Sequence, residues 1–343
     1  MDPTTGRLAG QGLIESSLED PVAVTRRLLA VQAQDLRGAR LAVRARLAPS
    51  VTDPGASMVD RALDDRSLVV GWLNRGTLHL VPAEDYRWLA ALTSPRLFTS
   101  NRTRLKQEGV SPGQAEKAVQ IIRKTLADAP ATRAELKAIL ERADIPVAGQ
   151  AMMHILYLAS LRGHILRGPM VGKEQAFVLT DDWLGKPEPV DVEKALAELA
   201  RRYLASHGPA TDRDLAKWAG INLGQARKGL EAISPELVQE GGMVDLAARD
   251  RPRGPAPVRL LGNFDPILHG WESREWIIPG ERERTVVTVN GLFRPTIFDG
   301  RRVTGVWRLA SGEIELHPFG DQPAKVTAAL EKEIEAVRNY LAR

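Results

Sequence analysis

Apolar residues recur at helical spacing over residues 21–34, 38–47 and 55–65, so three helices are expected there. The pattern then changes to short β-branched runs, Ser67–Leu73 and Thr77–Val81, joined across Asn74-Arg75-Gly76 as a hairpin. The same order follows twice more. Helical spacing over 114–127, from Thr132 onward and over 148–161 leads into strands at 164–167 and 175–180. Helices over 191–205, 211–219 and 222–232 lead into strands at 236–240 and 243–247, joined through Gly241-Gly242.

An internal repeat supports this division. Pro130-Ala131-Thr132, followed by Leu136, recurs as Pro209-Ala210-Thr211, followed by Leu215, with Glu135 and Asp214 three residues after each threonine. A threonine at the N-cap accepts from the exposed N3 amide. An acid at N3 favours the helix dipole, and Glu135 completes a capping box. Three helices and a hairpin make a winged helix-turn-helix, whose third helix is the one normally offered to DNA.

The fold class expected is α+β: about three tandem winged helix-turn-helix units over 1–105, 106–190 and 191–248, then a C-terminal region over 258–343. Arg249–Pro257, rich in Arg, Pro and Gly, reads as a linker. Beyond it Val258–Leu261, Thr285–Val289, Arg302–Arg308 and Ile314–Pro318 read as strands, closed by an amphipathic helix at 323–342.

Composition narrows the chemistry. The 343 residues contain no cysteine, which removes disulfides, Cys-ligated zinc, iron–sulfur clusters and thiol nucleophiles, and fits a reducing cytoplasm. With no apolar leader and no run of ~18 apolar residues, the chain reads as soluble, unexported and free of membrane partners. The net charge is +4, and the basic groups cluster: Arg37, Arg40, Arg44 and Arg46 have no acid among them, nor do Arg96, Arg102, Arg104 and Lys106. Arginine-rich runs suit phosphate, although a GC-rich genome produces the same bias.

Several catalytic signatures are missing. Gly168 to Glu174 resembles a P-loop but lacks a spacer residue and the Ser/Thr that holds magnesium. The six histidines include no i, i+4 pair, so neither a metal nor another cofactor is expected. Val31-Gln32-Ala33-Gln34-Asp35 is more informative. Glutamines at i and i+2 point about 200° apart on a helix, so they converge only where the helix has ended or the backbone is extended. Two converging amides can hold one water without committing a charge, and two surface glutamines at a helix end are the bland alternative. Asp35 reads as a local cap or a partner of Arg37. Arg37, Arg40 and Arg44 share a helix face, either as phosphate clamps or as a solvated surface. His79 sits in the first hairpin, and Trp72, Trp88, Trp218 and Trp307 read as core anchors.

Three stretches, V-Q-A-Q-D at 31–35, R-G-T-L-H-L-V-P-A-E-D-Y at 75–86 and N-G-L-F-R-P-T at 290–296 running on to G-V-W-R at 305–308, resemble the AlkZ-like family of winged-helix DNA glycosylases. The resemblance implies a curved scaffold that embraces DNA, with Gln32 and Gln34 as the catalytic Q-x-Q motif supporting water attack on the sugar of an N7-alkylated purine. It further implies DNA contacts from Arg37, Arg40, Arg44, Arg75, His79, Arg102 and Arg104. Residues 264–274 depart from the Asp-Arg dipeptide common in relatives, which leaves Asp265, His269 and Arg274 open as functional positions.

The substrate implied is double-stranded DNA with a bulky or crosslinking alkylated purine, handled by a monomer. A cationic N7-alkylpurine already leaves readily, so a positioned water suffices. No lysine precedes Lys106, so residues 1–105 offer no amine for a Schiff base and hydrolysis alone is expected. The rival reading is a winged-helix transcriptional regulator that binds DNA without chemistry.

Overall fold

The two Pro-Ala-Thr starts fold alike. In the first, the Thr132 hydroxyl accepts from the Glu135 N–H at 3.3 Å and the Glu135 carboxylate accepts from the Thr132 N–H at 2.7 Å, opening the helix Arg133–Arg142. In the second, Asp214 makes the same reciprocal pair with Thr211, at 2.9 and 3.1 Å, ahead of the helix Asp212–Ala219. Aspartate thus completes the box that the sequence pattern reserves for Glu or Gln. The alanine in each copy also bridges its own hairpin: Ala131 pairs with Phe177 and Ala210 with Val244, each through two backbone hydrogen bonds. The repeat is therefore one of element order and of backbone pairing.

The structure, a computed structural model, describes residues 3–172, 174–249 and 254–343. Residues 250–253 of the expected linker and Lys173 of the P-loop-like stretch lie outside the described residues. Helices and strands are mixed throughout, as the α+β class requires. Packing divides the chain into two units that interleave along the sequence, one formed by 1–59, 196–218 and 222–343, the other by 60–195 and 219–221. The expected ranges were consecutive, whereas these units are not.

In the second of these units, Thr77–Pro82, Leu68–Leu73, Ile165–Val171 and Glu174–Leu179 lie side by side in that order, all antiparallel. The hairpin at 68–82 and the hairpin at 165–179 share one sheet, with Val70 opposite Arg167. Trp72 anchors the core beneath it, 5.6 Å from Tyr157 and 6.4 Å from Phe177 between ring centres, and the Arg167 guanidinium lies 4.6 Å over Phe177. The helices Pro112–Asp128 and Ala151–Leu161 complete that core with Val119, Ile122, Met152 and Ile155.

In the first unit, Glu313–Pro318, Val303–Ala310, Thr296–Phe298 and Arg259–Leu261 form an antiparallel sheet in that order, and the helix Ala324–Ala342 packs on its Arg259–Leu261 edge. The strand expected at Thr285–Val289 is instead a helical turn, Glu283–Val286, followed by a tight loop in which Val287 pairs with Phe293. Gly291, at φ +74°, closes that loop. Among the described residues, four helices went unread in the sequence: Pro3–Gly10, Ala83–Thr93, Leu97–Gln107 and Thr180–Leu184.

Candidate active site

The glutamine motif sits where a helix stops. Pro21–Leu28 ends at Leu29, whose φ of +67° no helix accommodates, and the chain continues as the short strand Val31–Gln32. The helix expected to reach Gln34 thus ends six residues earlier, and the backbone at Gln32 is extended. The strand ends at Gln32, and Gln34 lies in the bend that leads into the next helix, so neither glutamine is helical. Gln32 is buried, 5% exposed, and Gln34 is exposed, so one amide is anchored in the protein and the other meets solvent.

The next helix, Leu36–Arg44, braces this segment. Asp35 is its N-cap, accepting from the N–H groups of Arg37 at 3.0 Å and Gly38 at 3.4 Å with the same carboxylate oxygen. Gly38 permits close packing: a Cβ there would lie 2.4 Å from the Asn263 carbonyl, and one on Gly262 would lie 2.8 Å from the Gly38 carbonyl. Two glycines thus fix the start of the helix against the end of the Arg259–Leu261 strand, directly after Gln34.

The arginine face of this helix turns inward along its length. Arg37 is exposed and Arg40 half-buried. Arg44 is almost buried and pairs with Glu333, whose carboxylate also accepts from the Leu260 N–H at 2.9 Å. The expectation that Arg44 clamps a phosphate is corrected by this pairing, because the guanidinium is spent inside the unit. Arg46 goes further, with no exposure at all: it donates to Asp265 at 2.7 and 2.9 Å, to the Gln11 carbonyl at 2.8 Å and to the Ala42 carbonyl at 2.9 Å.

That arrangement answers the question left open for Asp265. Wholly buried, it neutralises Arg46 and caps the turn Pro266–Leu268. His269 is likewise core: Nε2–H donates to the Phe264 carbonyl at 2.8 Å, and its ring meets Phe293 edge-on at 5.4 Å. Both side chains are buried.

In the other unit, His79 is 2% exposed on the strand Thr77–Pro82, and its Nδ1–H donates to the Thr77 carbonyl at 2.9 Å. It lies opposite Gly71, where a Cβ would come within 2.3 Å of the Tyr86 ring. Arg75 is exposed at the tip of this hairpin. Arg102 and Arg104 are both exposed on the helix Leu97–Gln107, yet two residues apart they point to opposite sides of it, and Arg104 donates to Gln107 at 3.1 Å. Trp72, Trp218 and Trp307 are buried and Trp88 is half-buried, donating to Asp85 at 3.0 Å.

The lysine argument narrows. The unit that carries the glutamines also contains Lys217, Lys228, Lys325 and Lys332, so a lysine-free stretch of sequence is not a lysine-free body. Lys217 donates to the Glu272 carbonyl at 2.9 Å, and the other three are exposed. No three His, Asp or Glu side chains gather as a metal site among the described residues. No helix among them is long and apolar enough to cross a membrane.

Sequence reasoning missed the exposed apolar tip at 288–292. Val289 is fully exposed and Leu292 54% exposed, on a loop closed by the Thr288 N–H donating to the Leu292 carbonyl at 2.9 Å. The signal was Asn290-Gly291, a turn pair read only as part of a longer motif.

Comparison with known proteins bears on what this geometry serves. A family described as DNA glycosylase AlkZ-like matches residues 25–340. An interstrand DNA cross-link repair glycosylase of Streptomyces sahachiroi is 28% identical over 337 residues, spanning 90% of this chain and 88% of that protein. The solved structure of Streptomyces sahachiroi DNA glycosylase AlkZ is similar at a TM-score of 0.80 and 25% identity, over 99% of this chain and 96% of that one. From Gln32 through the terminal helix, then, the chain belongs to the AlkZ-like DNA glycosylase family.

Proposed function

We propose that this DNA glycosylase hydrolyses the N-glycosidic bond of bulky or crosslinking N7-alkylpurines, with Gln32 and Gln34 positioning the attacking water. The carrying observation is the extended backbone at Val31–Gln32, which begins where the preceding helix is stopped at Leu29 and is followed by a glycine-packed helix. N-glycoside cleavage passes through an oxocarbenium-like sugar, and a cationic N7-alkylpurine needs little protonation to leave. A neutral amide pair suits that step. It orients water by donating and accepting, and adds no charge beside the developing cation. The capping oxygen of Asp35 is committed to two backbone N–H groups, which favours the amides as the water holders.

DNA would be held by cations on each unit, the exposed Arg37 and the half-buried Arg40 on one and the exposed Arg75, Arg102 and Arg104 on the other, with His79 as a buried support of its hairpin rather than a phosphate contact. The Val289/Leu292 tip has the chemistry of a wedge that unstacks a base step. About three winged-helix units remain our reading of the recurring helix–helix–helix–hairpin order. Family membership weighs against the non-catalytic regulator.

The test is incubation with duplex carrying an N7-alkylguanine. Abasic sites that are cut only by later hot alkali, with no adduct trapped by borohydride, support hydrolysis by water. A trapped adduct on any lysine of the glutamine-bearing unit would replace this mechanism with an imine route.

A further inference from the structure

The helix Leu97–Gln107 buries only Asn101 and Leu105 fully, an unusually small share for an element of eleven residues. At 100° per residue, Phe98, Arg102, Leu105 and Lys106 fall on one of its faces. That face borders a groove of about 920 Å³. Its floor is apolar, built from Phe98, Leu105, Val110, Ala115 and Leu158, and its rim carries Arg102, Lys106 and Arg162 with no acidic side chain in the lining. Arg162 is paired with Glu116 at 2.8 Å, but no described residue pairs with Arg102 or Lys106. The groove belongs wholly to the unit formed by 60–195 and 219–221.

We propose that this groove docks an acidic amphipathic helix of a partner protein. Charge complementarity fixes the sign of the occupant, since two unpaired cations flank an acid-free trough. The floor fixes its class. Single-stranded nucleic acid is gripped by several aromatic platforms, and this floor offers one ring, Phe98, among four aliphatic side chains. Duplex DNA keeps its bases stacked inside and would leave the trough unfilled. Leucine-like side chains recurring every three to four residues, flanked by carboxylates, fill such a trough between helices.

Arg102 is shared with the proposed DNA contacts, so the test uses Thr99, exposed in the lining, and Lys106. The probe is a fluorescein-labelled sixteen-residue peptide, mostly Glu, with Leu at i, i+3, i+7 and i+10, followed by anisotropy against the full chain. Saturable binding is expected, weakened about tenfold or more by Thr99→Trp, which fills the trough, and by Lys106→Glu, which reverses its rim. Both variants should keep the wild-type melting temperature and excision rate, so a chain without excision activity would still give a readable result for the groove. Equal binding of a scrambled peptide of the same composition would overturn the proposal. So would indifference to both variants, or displacement of the peptide by oligo-dT at matched charge, which would assign the groove to nucleic acid.

Discussion

Arginines only a few residues apart, on the helix Leu36–Arg44 and just past its end, meet different fates, and burial decides which. Arg37 faces solvent, Arg44 closes on Glu333 and Arg46 is enclosed with Asp265. A buried ion pair that loses one partner leaves an uncompensated charge, at a cost of roughly 3–5 kcal/mol. Asp265→Asn is therefore expected to lower stability by about that amount in denaturant melts, while excision by the remaining folded protein is unchanged; a loss of rate at full stability would return Asp265 to the active site. Arg37→Ala and Arg40→Ala should weaken binding to all DNA sequences alike, each lowering the salt slope by ~1, whereas Arg44→Ala should reduce stability and leave the slope untouched. Titration of Kd between 50 and 200 mM salt, over which about five phosphate contacts predict a loss on the order of 500-fold, distinguishes the two outcomes.

Among elements, legibility follows how local the cause is. Four helices of the two repeats carry their own start signal, Ser111, Thr132 and Asn222 forming capping boxes and Thr211 a shorter version, while Ala151–Leu161 has no side-chain cap and is readable from its long apolar run. The Leu97–Gln107 helix is not readable, because it has no side-chain cap and buries few apolar residues. Glu283–Val286 misled for a different reason: β-branched residues suggest a strand, but the following loop turns too tightly to pair as one. Gln32 and Gln34 were conspicuous by type and spacing, yet the stop at Leu29 that takes them out of the helix depends on a positive φ no sequence rule assigns to leucine. The loop tip at Val289 and Leu292 carries its own expectation. Val289→Ser with Leu292→Ser should slow excision from duplex about tenfold or more while sparing single-stranded substrate, if the tip unstacks bases; equal loss on both would make it a structural loop.

At the scale of the molecule, the two units set both stability and chemistry. His207 is wholly buried against Tyr203, Trp218 and Trp271, and burial pushes its pKa well below the usual 6.5. Its Nδ1 lies 2.7 Å from the Ser206 hydroxyl, and the positive charges of Arg249 and Arg46 together with His269 push in the same direction as burial. A folded pKa below the unfolded one means that the unfolded chain binds the extra proton, so stability is fully present above about 6.5 and falls as pH drops from there toward the folded value. Burial lowers His154 and His164 as well, adding in the same direction. Melting temperature should therefore decline from pH 7 to 5, and His207→Phe, which keeps a ring in the cluster, should flatten that decline; an unchanged slope would remove His207 as its cause. The central claim is that two amides just beyond a helix end, Gln32 on the short strand and Gln34 in the bend after it, hold the water that breaks the glycosidic bond. Single-turnover excision of N7-alkylguanine from duplex, measured beside Kd for the same duplex, tests it most directly. Gln32→Ala and Gln34→Ala should each lower the rate by ~10²-fold or more, the loss typical of one preorganised polar group, with Kd nearly unchanged. Rates that fall only in proportion to binding, or do not fall at all, would contradict it.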